Sequence, residues 1–71
     1  MGPIAVSGGF DPLHAQHVAF FEQASKYGPL TVILNSDAWL IRKKGFYCQC
    51  WNDRRKIIES MRFVTHVEPG D

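Results

Sequence analysis

Apolar residues fall along this chain in short blocks whose spacing alternates between that of strands and that of helices. Ile4-Ala5-Val6 is an apolar run ending in Ser7-Gly8-Gly9, the pattern of a buried strand that meets a glycine turn. From Ala15 the period lengthens. Val18, Phe21 and Ala24 recur at helical spacing, Phe20 and Tyr27 widen the apolar face, and Glu22 and Lys26 are placed for an i,i+4 ion pair. Gly28-Pro29 predicts the end of that helix. Leu30 to Leu34 is almost wholly apolar and rich in β-branched residues, as an interior parallel strand requires.

Asn35-Ser36-Asp37 ends this second strand, with Asp37 placed to cap a short helical turn through Trp39 and Ile41. Arg42 to Trp51 has no clear period and reads as a loop with a basic start, Arg42-Lys43-Lys44-Gly45. A second helix is expected from Asn52 or Asp53 to about Met61, burying Ile57, Ile58 and Met61. Phe63 to Val67 predicts a third strand, and Pro69-Gly70 closes the chain. Strand, helix, strand, helix, strand is the βαβαβ half of a doubly wound α/β fold, a Rossmann-like arrangement of three layers around a parallel sheet. Ligands of such folds bind at the carboxyl ends of the strands. Here those ends carry Gly8-Gly9, Asn35-Ser36-Asp37 and the end of the third strand.

Composition narrows this only slightly. With 71 residues, 45% of them hydrophobic, the chain suits one globular unit. At that size folding buries only about 60% of the unfolded chain's surface, so stability is thin. Eight basic and seven acidic residues give a formal charge of +1, which points to no partner class. No nucleic-acid or membrane partner is expected. No segment approaches the roughly 18 to 20 apolar residues of a membrane span, and the first residues lack the pattern of a signal peptide, so a cytoplasmic location is expected. Cys48 and Cys50 are too close in sequence for a useful structural bridge and read as free thiols. Without a second pair, their spacing does not predict a metal site.

The chemistry concentrates in Gly8-Gly9-Phe10-Asp11-Pro12-Leu13-His14-Ala15-Gln16-His17. Glycines after a strand let backbone N–H groups approach an anion. The helix that follows directs its positive end and its unpaired N–H groups to the same place. His14 and His17 are three apart, so both imidazoles lie near one face of the first turn. Two imidazoles there can donate to phosphate oxygens and offset the charge that builds during substitution at phosphorus. Neither G-x-G-x-x-G nor the Walker Gly-Lys-Ser/Thr pattern is present.

The segment resembles the G-x-F-D-x-x-H-x-G-H signature of the cytidylyltransferase-like nucleotidyltransferases, and the resemblance runs on in order through Asn35-Ser36-Asp37, Lys43-Lys44-Gly45, Asp53-Arg54 and Arg62-Phe63-Val64. It implies a nucleotidyltransferase fold, of which these residues are the N-terminal half of one domain, 1–71. It also implies transfer of a nucleotidyl group, CMP from CTP, to a small phosphorylated acceptor, with Mg²⁺ accompanying the triphosphate and pyrophosphate leaving. The alternatives are adenylyl transfer from ATP and an incomplete nucleotide-binding module. By the same resemblance His14, His17 and Lys44 are the catalytic candidates, and Gly8, Gly9, Phe10, Asp11, Asp37, Arg54 and Arg62 the nucleotide-binding ones. Arg54 and Arg62 suit surface ion pairs equally well, Asp11 and Asp37 suit a turn or cap, and Lys44 suits a solvated charge. Gln16 stands where the family has glycine, and the family's later serine/threonine- and arginine-containing motif has no counterpart before Asp71. The family's further strands would pair along the first strand, so a homo-oligomer is expected of this chain alone.

Overall fold

The computed structural model describes residues 2–71. Three parallel strands, β1 (Ile4–Gly8), β2 (Leu30–Asn35) and β3 (Val64–Gly70), form a sheet in the order β1-β2-β3. Helix α1 (Ala15–Ser25) crosses from β1 to β2. Helices α2 (Asp37–Lys44) and α3 (Trp51–Glu59) connect β2 to β3. The chain is α/β with the expected βαβαβ order.

Strand pairing explains the core. Val6 lies opposite Val32, and Val32 opposite Val67, so one row of side chains points to one face. That face carries Leu30, Val32, Leu34 and Val67, and Phe21 of α1 and Ile58 of α3 close over it. Both crossover helices therefore lie on one side, as right-handed connections that step in one direction require. On the opposite face Ala5, Thr31 and His66 share a row. Among the described residues no helix covers that row, so two of the three expected layers are present.

Several boundaries differ from the sequence reading. α2 runs to Lys44 as a full helix, because Ser36, not Asp37, is its N-cap: Ser36 Oγ accepts from Trp39 N at 3.0 Å. Arg42, Lys43 and Lys44 belong to its last turn, where the negative end of the helix dipole favours cations, and Gly45 at φ 86° ends it. β3 continues through Pro69-Gly70. An edge strand tolerates a missing N–H, and any side chain at 70 would collide with Ile33.

On α3 the inward stripe is Trp51, Arg54 and Ile58, and Met61 just beyond the helix end continues it, at spacings of three and four. Ile57 falls beside this stripe and is 38% exposed, against the expectation that it is buried. An arginine holds its place. On α1, Phe21 is buried while Val18 and Phe20 stay exposed, as does Tyr27 just beyond the helix. The helix ends at Ser25 with Lys26 as its cap, and among the described residues Glu22 and Lys26 form no ion pair.

Candidate phosphate-binding site

At the carboxyl end of β1 the chain turns sharply into α1. Phe10 adopts φ 49°, a conformation that costs a non-glycine residue of order 1 kcal/mol. What holds it is packing. Its ring lies against Gly8, where an added Cβ would come within 3.0 Å of the ring. It also meets Phe21 and His17 edge-on, at centroid distances of 5.0 and 5.4 Å. Gly9 is required for a related reason, since a Cβ there would lie 2.7 Å from Leu40 Cδ2 of α2. Both glycines thus allow protein packing.

His14 is the N-cap of α1. Its Nδ1 accepts from Gln16 N at 3.2 Å, and His17 Nδ1 accepts in return from His14 N at 3.2 Å. The arrangement is a capping box built from two imidazoles, stacked at 4.1 Å between centroids. A neutral histidine whose Nδ1 accepts must carry its proton on Nε2. Both rings therefore present an Nε2–H donor outward. Burial, with a smaller contribution from neighbouring His14, holds the His17 pKa below its ordinary value and keeps that ring neutral at physiological pH.

Some backbone N–H groups of this turn are already paired. Leu13 N donates to Gln49 Oε1 at 3.0 Å, His14 N and Gln16 N serve the imidazoles, and His17 N returns to His14 O. The expected row of unpaired N–H groups is thus reduced but not closed, since Gly9 N, Phe10 N, Asp11 N and Ala15 N keep no partner among the described residues, and the two Nε2–H groups add to these donors. Charge still singles out this helix. α2 has Asp37 in its first turn and the Asp71 carboxylate on Ser36, and α3 has Asp53 in its first turn, but α1 has no acidic residue there. Of the three helix starts at this end, α1 alone has no carboxylate of its own to meet the positive dipole end.

Asp11 points away from this surface and clasps the segment between α2 and α3. Its side chain has no exposed surface. It accepts from Cys48 N and Gln49 N, both at 2.7 Å, and meets Lys44 Nζ at 3.1 Å. Burial alone would raise its pKa, but these three donors together outweigh it and hold the carboxyl below its ordinary value. Lys44 also donates to Asp11 O at 2.8 Å, so its ammonium is held at the turn and not free in solvent.

Arg54 is the central fastener, with 0% of its surface exposed. It donates to Gln49 O (2.9 Å), to Gly9 O and Asn35 O (both 2.8 Å), and to Asp37 Oδ1 (2.6 Å). One guanidinium thus ties the ends of β1 and β2 to α2 and to the loop before α3. Asn35, with its amide oriented by its neighbours, adds a bond to Gly8 O at 3.0 Å and accepts from Trp39 Nε1 at 3.1 Å. Asp71 accepts from Ser36 N and Oγ at 2.9 and 2.8 Å and lies 3.5 Å from Arg42, and the Ser36 N–H leads the groups that lower its pKa.

The structure gathers Gly8, Gly9, Phe10, Asp11, His14, His17, Asp37, Lys44 and Arg54 into one connected cluster. Arg62 is not part of it. It precedes β3 and stacks on Phe63 at the amino end of the sheet, about a strand's length away at roughly 3.3 Å per residue. Sequence reasoning missed Gln49 and Asp71, whose partners are distant in the chain, and placed Asn35 and Ser36 at the strand end without their bonding roles. Cys48 is exposed and Cys50 half-buried, both as free thiols. Among the described residues no enclosed cavity surrounds the histidines, so this surface is open, and no helix is long and apolar enough to cross a membrane.

No protein-family model matches the chain. Individual relatives do. It is 30% identical over 70 residues to the glycerol-3-phosphate cytidylyltransferase of Bacillus subtilis, covering 97% of this chain and 54% of that protein. It is 28% identical over 71 residues to an FAD synthase of Ferroglobus placidus, covering all of this chain and 47% of that one. Over 67 residues it is 37% identical to the bifunctional protein HldE of Campylobacter concisus, covering 90% of this chain and 14% of that one. The crystal structure of a lipopolysaccharide core biosynthesis protein from Thermoplasma volcanium superposes with a TM-score of 0.88 at 23% identity, over 97% of this chain and 57% of the other, and shares its fold. The chain is thus similar in sequence, over nearly its whole length, to the part of these proteins that it matches. It spans about half the length, or less, of these curated relatives.

Proposed function

We propose that the β1–α1 turn binds the phosphates of a nucleoside triphosphate and supports transfer of a nucleotidyl group, CMP from CTP, to a small phosphorylated acceptor. The observation that carries this reading is the imidazole capping box, which leaves two Nε2–H donors at a helix start that has no carboxylate of its own. An oxygen of the acceptor attacks the α-phosphorus, the new P–O bond forms, the bond to the β-phosphate bridging oxygen breaks, and pyrophosphate leaves. Neutral Nε2–H donors suit this task, because they stabilise charge developing on the phosphoryl oxygens and on the leaving pyrophosphate without having to lose a proton.

In this reading Lys44 contributes charge from beside Asp11, and Gly9 and Phe10 shape the turn. Arg54 and Asp37 act by holding that frame, since the guanidinium has no surface for a ligand to reach. Mg²⁺ neutralises triphosphate charge in such reactions. The carboxylates here build no dedicated cage for it, because Asp11 is enclosed by three donors and Asp37 holds Arg54. The ion would be carried by the triphosphate's own oxygens. Similarity to an FAD synthase favours a second reading, adenylyl transfer from ATP at the same turn.

A thermal-shift panel of CTP, ATP, GTP and UTP with Mg²⁺ tests both. A nucleotide present at 100 times its Kd adds about 2.7 kcal/mol of stability, a plainly visible rise in Tm. The rise is expected with CTP. A rise with ATP alone favours the second reading, and no rise with any of the four rejects the site. A rise without pyrophosphate release on adding acceptor would mark the chain as a binding module.

A further inference from the structure

We propose that Gln49 is a positioning residue for the histidine pair, holding the start of α1 so that both imidazoles keep their Nε2–H groups outward. The inference rests on the phosphate-facing role given above to His14 and His17. Gln49 lies between α2 and α3, 36 residues from the group its side chain meets. Its Oε1 accepts from Leu13 N at 3.0 Å, the last N–H before the N-cap residue. That bond sets the backbone just where His14 must be extended, at φ −151° and ψ −177°, for its own N–H to reach His17 Nδ1.

The amide is delivered from a rigid frame. Gln49 N donates to Asp11 Oδ1 at 2.7 Å, and Gln49 O accepts from Arg54 Nε at 2.9 Å. Both backbone polar groups are thereby anchored, one to a side chain with no exposed surface and one to a wholly buried guanidinium. A residue pinned on both sides can hold a single side-chain bond against thermal averaging at little further entropic cost. Its chemistry also fits. A neutral amide accepts from Leu13 N without adding negative charge, whereas a carboxylate of the same shape would accept equally well but repel a triphosphate.

The two roles separate in two variants. In ¹⁵N-edited spectra of the unliganded full chain, wild-type His14 and His17 are expected as single Nε2–H tautomers. Gln49→Ala should mix the tautomers of both rings and speed amide exchange at Leu13 and His14 by about 3- to 10-fold, the loss of one hydrogen bond, with far-UV circular dichroism unchanged. Gln49→Glu should keep the wild-type tautomers and Leu13 exchange, yet weaken binding of CTP with Mg²⁺ by about tenfold or more.

Unchanged tautomers and exchange in Gln49→Ala would overturn the proposal. Should the alanine variant not fold, loss of the Nε2–H tautomers in Gln49→Glu, which keeps the acceptor, would overturn it equally, and their retention would support it. The tautomer readout needs no nucleotide. A wild-type chain that binds no nucleoside triphosphate would therefore sink the functional reading while leaving the positioning role to be decided by the spectra.

Discussion

His17 joins three tasks in one side chain: it accepts from the backbone of the N-cap His14, packs edge-on against Phe10, and presents Nε2–H to the surface. Replacing it with alanine removes a donor aimed at developing charge, so nucleotidyl transfer should fall about 10²- to 10³-fold. Losing its half of the capping box, the bond from His14 N, should also cost about 1 kcal/mol of stability. Pyrophosphate release and thermal denaturation measure the two losses separately, and near-full turnover by the variant would refute the proposed role. Gln16 is exposed beside the same pair, its own N–H held by His14 Nδ1. Gln16→Gly should relieve crowding at the helix start and tighten nucleotide binding, although glycine weakens the helix slightly. Weaker binding in calorimetric titration would mean instead that the Gln16 amide serves as a donor.

At the scale of elements, the loop between α2 and α3 is held by Asp11, and its frame by Arg54. Asp11→Ala strands Cys48 N, Gln49 N and the Lys44 ammonium, and should destabilise the fold by about 3 kcal/mol. Arg54→Lys should cost a similar amount, because one ammonium cannot serve acceptors placed around a planar guanidinium. Denaturant titration of both variants checks these values.

The pH dependence of stability follows from the same groups. The folded pKa of His17 lies below its ordinary 6.5, so the unfolded chain binds the proton more readily, and stability present above pH 6.5 should decline as pH falls through the folded value. The folded pKa of Asp11 lies below 3.8, so its contribution should persist to that pH and be lost beneath it. Tm measured from pH 8 to pH 2 should fall in two stages. His17→Asn should remove the upper stage alone.

For the molecule as a whole, the open features are the free edge of β1 and the sheet face that no helix covers among the described residues. Among the described residues β1 pairs only with β2, and its Ile4-Ala5-Val6-Ser7-Gly8 edge carries no charge to deter a partner. The other edge, β3, carries Glu68 and Pro69, which discourage strand addition. Association through β1 is therefore expected. Multi-angle light scattering of the 71-residue chain should report a dimer or higher assembly, with weak or no transfer activity. A clean monomer with robust transfer would contradict this account.

What the sequence by itself determined is the alternation of strands and helices, the glycine turn, and the placing of His14 and His17 on one helical face. Each depends on residues a few positions apart, where periodicity and turn chemistry act directly. Only the tertiary structure decided that Arg54 is buried, because its acceptors Asn35 O and Gly9 O lie 19 and 45 residues away. Gln49 meets Leu13 across 36 residues, and Asp71 meets Ser36 across 35. Such partners are set by which strand ends the parallel sheet brings side by side. The same packing removed Arg62 from the cluster, since a residue that precedes a parallel strand lies at the amino end of the sheet, opposite the site. It also turned Lys44 from an apparent loop charge into the last residue of a helix, bound to Asp11. Local pattern sets the elements, and long-range contact sets which polar groups they bring together.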